Sequence, residues 1–177
     1  MSRNSVRGGY WLAFGIAVVL FMLSRTDKGQ AVLNSAADSI GSAVRGIRNN
    51  NPGNIKHGSD WQGLRATQTD ETFAQFETMP YGIRALAITL RNYQRLYGIN
   101  TVRKAIMRWS ATDQAVYVAN VADYLGVERD AVINLSARAT MFAMIRAIVR
   151  QEVGTVAALL VTDGDINAGL DLAGGFA

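Results

Sequence analysis

The spacing of apolar residues after Gly82 constrains the fold more than any other feature, because Ile83, Leu86, Leu90, Tyr93 and the pair Leu96 and Tyr97 recur at helical intervals. They share one face of a helix of about 15 residues, which Gly98 ends. Further starts and stops follow. Thr101 caps a helix that runs through Trp109, Thr112 or Asp113 caps another through Leu125, and Ser136 caps the last long one, which ends at Gln151 or Glu152 before Gly154. Asp165 reads as the cap of a short helix over 166–172 that packs on the rest. The fold class predicted is therefore mainly α, with about four to five helices behind a small irregular or β lobe.

That lobe opens on Arg48-Asn49-Asn50-Asn51-Pro52-Gly53-Asn54, where Pro fixes one torsion while Gly and Asn accept positive ones. The broken pattern from Ile55 to Phe76, with its alternating Phe73-Ala-Gln-Phe76, predicts a small hairpin or an irregular segment. At the other end, residues 8–24 carry no charge. A helix of these 17 residues reaches about 25 Å, the short end of a membrane span. Tyr10 and Trp11 suit the interface, Phe14, Leu20 and Phe21 the hydrocarbon, and Arg7 and Arg25 the headgroups. The stretch Met22 to Asp27 lacks the small residues of a cleavage site, so an uncleaved anchor is expected rather than a removed signal peptide. The organisation predicted is an N-terminal transmembrane helix in 1–25, a linker in 26–45 and a folded domain in 46–177.

Composition narrows the chemistry. Zero cysteines exclude disulfides, thiol nucleophiles and cysteine-bound metals, and the one histidine, His57, cannot build a zinc site with its usual partners. Asp163 and Asp165 are spaced like the start of a calcium loop but lack the downstream glycine and glutamate. Neither a phosphate-cradling glycine loop nor a serine triad is present, so no metal and no cofactor is expected. The net charge is +4, and the stretch from Arg84 to Arg108 holds six basic residues and no acidic one. Such a stretch suits an anionic polymer, although no reading motif for nucleic acid accompanies it.

Carboxylates remain as chemical groups. Breaking a glycosidic bond needs a carboxylic acid to protonate the leaving oxygen while positive character develops on the sugar. Glu152 follows the apolar stripe Met141, Met144, Ile145, Ile148 and Val149 at a helix carboxyl end, where the dipole and partial burial disfavour its ionised form. A plain ion pair with Arg146 or Arg150 is the alternative. Asp60, Asp70, Glu71 and Glu77 crowd the lobe, where a second carboxylate would orient water or steady the transition state.

Taken together, Gly46-Ile-Arg-Asn-Asn-Asn-Pro-Gly-Asn-Ile-Lys56, Trp61-Gln-Gly63, Gln68-Thr-Asp70, Phe73-Ala-Gln-Phe76, Gly82-Ile-Arg-Ala85, Thr101 and Arg108-Trp109 resemble a family of phage structural proteins with a lysozyme-like, muralytic domain. The asparagine-rich opening also resembles the part of glucosaminidase and lytic transglycosylase domains that follows their catalytic glutamate helix. Here the segment of that shape, Ala147-Ile-Val-Arg-Gln-Glu152-Val-Gly154, comes last, as in a circular permutation. The resemblance implies an α+β lysozyme-like fold over 46–177 and a membrane-anchored virion protein that opens peptidoglycan during phage entry. It also implies Glu152 as general acid with Asp70 as helper, and a sugar cleft drawn from Asn49, Asn51, Asn54, Trp61, Gln68 and Tyr93. Peptidoglycan, a lipid membrane and other virion proteins are the partners it implies, and the soluble domain would face the periplasm. Val153 departs from the small polar residue of the pattern, and Ser110-Ala-Thr-Asp113 replaces a proline-containing stretch. Those departures leave open a virion structural protein that keeps the shape without catalysis.

Overall fold

The computed structural model describes residues 26–28, 30–31, 41, 44–111 and 114–176. The chain divides into two compact units, Met1–Gly41 and Ser42–Ala177. In the first, 27–28 and 30–31 are helical, and the Gln30 amide donates to the Thr26 carbonyl at 2.8 Å. The second unit holds everything that follows.

Its helices are α1 (Met79–Tyr97), α2 (Val102–Trp109), α3 (Gln114–Leu125), α4 (Arg138–Glu152), α5 (Gly154–Ala157) and α6 (Asp163–Ala173), with a 3-10 turn at Ala158–Leu160 between the last two. Local sequence explains their ends. Pro80 in the first turn of α1 supplies a preset φ and lacks an N–H that would find no partner there, so the helix starts ahead of Gly82. Gly98 closes it in the left-handed conformation at φ 65°, as its position predicts. The Thr101 side chain accepts from the Lys104 amide to cap α2. Thr162 and Asp165 form a reciprocal capping box on α6, with Asp165 in its first turn. Ser136 does not cap α4, which starts after Ala137 with no side-chain cap. Thr112 and Asp113 lie outside the described residues.

The core forms where the apolar faces meet. Ile83, Leu86 and Leu90 of α1, Val121 of α3, Met144 and Ile148 of α4 and Ile166 and Leu170 of α6 are fully buried in one cluster. The α4 stripe read from the sequence is thus its central wall. Two glycines allow the closest approaches. A Cβ on Gly82 would lie 1.9 Å from the Asn50 carbonyl oxygen, and one on Gly169 of α6 would lie 2.5 Å from Ile83 Cγ2, so only glycine lets these backbones meet.

Two expectations about fold class require correction. Among the described residues there is no strand: Lys56–Phe73 and Leu64–Phe76 are isolated antiparallel bridges, and the lobe is irregular rather than β. Side chains take the partners that a ladder would use. Asn51 donates to the Ile55 and Ala74 carbonyls at 2.8 Å each and accepts from the Ile55 amide, while the Gln68 side chain donates to the Arg65 and Gln75 carbonyls and accepts from the Gln75 amide, and the Gln75 side chain accepts from the Thr69 amide. The fold is therefore mainly helical rather than α+β. The N-terminal transmembrane helix, with Tyr10, Trp11, Phe14, Leu20 and Phe21, lies outside the described residues. No helix among the described residues is long and apolar enough to cross a membrane. Even α1, the longest at 19 residues, carries Arg84, Arg91 and Arg95 on its surface.

Candidate functional site

A cleft of about 590 Å³ opens between the lobe and the helices. Gly53 to Lys56 and Phe73 form the lobe side, while Thr89 and Tyr93 of α1, Trp109 at the end of α2, Ser110 and Ala111 form the other. Glu152, the last residue of α4, is the one carboxylate among the described lining residues. Its placement follows from the stripe: Met144, Ile145, Ile148 and Val149 fix the helix in the core, and Glu152 emerges half-buried where that core ends.

Three donors converge on it. Asn54 Nδ2 donates to Oε2 at 3.1 Å, and Trp109 Nε1 and the Tyr117 hydroxyl donate to Oε1 at 3.0 and 2.9 Å. Burial, then the charge of Glu152, pushes the Tyr117 phenol well above the usual tyrosine range, so it stays protonated and must act as the donor. Asn54 sits at φ 50°, a conformation asparagine tolerates better than most residues, and this turn brings its amide to the carboxylate. The basic neighbours proposed as Glu152 partners bond elsewhere. Arg146 donates to Asp163 and to the Val161 carbonyl, and Arg150 lies over the Tyr124 ring at 5.5 Å.

Of the residues named from sequence, the structure brings Glu152, Asn54 and Tyr93 together around the cleft. Burial raises the Tyr93 phenol, an effect that the nearby Arg108 opposes. Asp70 does not line the cleft. Its side chain is 1% exposed and receives Arg45 Nε and Nη2 at 2.7 and 2.6 Å, Asn49 Nδ2 at 2.8 Å and the Thr72 and Phe73 amides. The Arg45 hydrogen bonds, foremost among these donors, hold its carboxyl well below the usual carboxylate range. Asn49, Asn51 and Gln68 are likewise committed to the lobe, Asn49 bonding Asp70 and Gln75 at zero exposure. Trp61 packs beside Ala74, Phe76 and Ala85 in a small second core. His57 bonds the Asp70 carbonyl at 2.7 Å, and Asp60, Glu71 and Glu77 are exposed.

Known proteins place this architecture. No family model matches the chain. Protein P5 of Pseudoalteromonas phage PM2 is 39% identical over 123 residues, which span 66% of this chain and 75% of that protein. The chain belongs to the Protein P5 family. This relationship supports a phage virion protein with a structural role in the particle.

Two site residues escaped the sequence reading. Trp109 was visible as half of Arg108-Trp109 but carried no role, and Tyr117 was not singled out. A signal for Tyr117 exists in its place among Val118, Val121 and Ala122 on the buried face of α3. A buried tyrosine usually spends its hydroxyl on a partner, which a one-dimensional pattern cannot name.

Proposed function

We propose that this chain is a virion-associated enzyme that cuts peptidoglycan, as a hydrolase or lytic transglycosylase, and locally opens the cell wall during phage entry. The observation that supports this is the Glu152 carboxyl group, held by Asn54, Trp109 and Tyr117 at the wall of a cleft of about 590 Å³. In this reading Glu152 gives its proton to the glycosidic oxygen as the bond from that oxygen to the sugar carbon breaks, and the bonding pair leaves with the oxygen. The electron-poor sugar is then captured by one of its own hydroxyls or by water. The proton released in that capture returns to Glu152. Tyr93, Phe73 and Trp109 offer aromatic surface on which pyranose rings pack.

The test is a zymogram on purified cell wall with the full chain and its Glu152→Gln variant. Clearing by the parent and none by the variant is the expected result. Product analysis then separates the two chemistries, because capture by the sugar's own hydroxyl leaves anhydro ends and capture by water leaves reducing ends. A second reading is a virion structural protein that keeps the cleft without catalysis. Val153 supports it: this departure from the enzyme pattern is 1% exposed, built into the core where a Cβ on Gly46 would lie 2.7 Å from its Cγ1. Absence of clearing by a folded parent chain would decide for that reading.

A further inference from the structure

The basic stretch from Arg84 to Arg108 divides once its side chains are placed. Arg84 donates to the Leu172 carbonyl at 3.3 Å, Arg91 to the Gly174 carbonyl, and Arg103 to Asp130 at 2.8 Å. These three hold the fold together. Arg108 is different: it is exposed, and among the described residues no carboxylate forms an ion pair with it. It is nevertheless fixed in place. Its guanidinium lies 3.9 Å from the centroid of the Tyr97 ring and 5.2 Å from that of Tyr93. Arg108 does not itself line the cleft but lies against the ring of Tyr93, which does, and is next in sequence to the Trp109 that holds Glu152.

We infer that Arg108, laid on Tyr93 and Tyr97, is a carboxylate-binding subsite of this cleft, and that the polymer it receives carries free carboxylates as well as sugars. A guanidinium presents a flat fork of N–H donors that matches the two oxygens of a carboxylate. Stacking on two rings orders that fork before any ligand arrives, so less side-chain freedom is lost on binding. Lys56 adds a second exposed cation on the lobe side of the same cleft. A cleft built only for neutral sugars has no use for this pair, whereas peptidoglycan bears carboxylates on its stem peptides, or on its lactyl groups where the stem peptide is absent. The inference rests on the wall-cutting reading for the identity of the polymer alone.

The experiment uses the full chain with Glu152→Gln, so that cleavage does not consume the probes, and calorimetry as readout. The probes are a neutral tetramer of N-acetylglucosamine, a peptide-free disaccharide whose one carboxylate is the lactyl group, and the same disaccharide with its stem peptide. We expect an acidic probe to bind about tenfold more tightly than the neutral one, the size of one charge-assisted hydrogen-bonded pair. Adding Arg108→Ala should abolish that preference and leave the neutral probe unchanged, and Arg108→Lys should restore only part of it. Which acidic probe gains most identifies the lactyl or the peptide carboxylate. No preference in the parent, or a preference that survives Arg108→Ala, overturns the subsite. A preference that depends on Arg108 in a chain that never clears cell wall would sink the enzyme reading while leaving the subsite intact.

Discussion

Asp70 and Glu152 show how two carboxylates in one domain take different work from their surroundings. Asp70 is sealed by Arg45, Asn49 and two backbone amides, so its charge is consumed internally. Replacing it with Asn leaves Arg45 without its counter-charge and should lower unfolding free energy, measured by denaturant titration. The pH dependence has a definite sign. Because the folded carboxyl titrates below its unfolded value, its contribution is complete above about pH 4 and fades as pH falls toward the depressed folded value. Melting temperatures of the parent should therefore fall on acidification more steeply than those of Asp70→Asn; parallel curves would refute this. At Glu152, Tyr117→Phe removes a donor 2.9 Å from Oε1. If the carboxyl works as proposed, kcat on cell wall should drop about tenfold with KM unchanged, as expected for one hydrogen bond to a charged group. A rise in KM alone would move Tyr117 from positioning the acid to shaping the cleft.

Among the elements, α1 is approached at its amino-terminal turns from two sides through glycine. Gly82 meets the Asn50 backbone and Gly169 of α6 meets Ile83. Gly82→Ala must push the asparagine turn away from α1, since the facing atom is a backbone oxygen that cannot rotate aside. The expected cost is about 1–3 kcal/mol in a denaturant titration, with accelerated proteolysis within 49–56. An unchanged midpoint would mean that the turn does not depend on this approach. Asn54 belongs to that turn, so the same substitution should also weaken any activity that depends on Glu152. Periodicity announces α1 but not this dependence, because the glycine contact joins residues from separate segments.

At the scale of the whole unit, the last helix closes the core. Ile166 and Leu170 of α6 are fully buried against α1, and Arg84 and Arg91 reach from α1 to the Leu172 and Gly174 carbonyls. Truncation after Val161 should therefore expose the Ile83 and Leu86 face and abolish the cooperative thermal transition seen by circular dichroism, since deleting even one buried side chain of this size costs about 2–5 kcal/mol. A truncated chain that melts cooperatively near the parent temperature would show α6 to be an accessory. Such closure also engages two of the six basic residues of the stretch, Arg84 and Arg91, which hold the carboxyl end.

Sequence alone determined the longer helices of the second unit, though not α5 or the 3-10 turn, because residues three and four apart see the same side of a helix whatever the tertiary fold. Gly98 and Thr101 were legible as ends for the same local reason, that a cap is satisfied by atoms a few residues away, whereas the N-cap of the last helix is Thr162 rather than Asp165. Tertiary structure decided the rest. Whether 55–76 paired as strands depended on whether Asn51, Gln68 and Gln75 would take the backbone partners, a competition between segments that alternation cannot register. Glu152 was legible as the end of an apolar stripe, and Asn54 as part of a turn, but the 3.1 Å bond between them spans 98 residues. Asp70 was legible only as a second carboxylate that would help Glu152, and it was folding that surrounded it with donors inside the lobe.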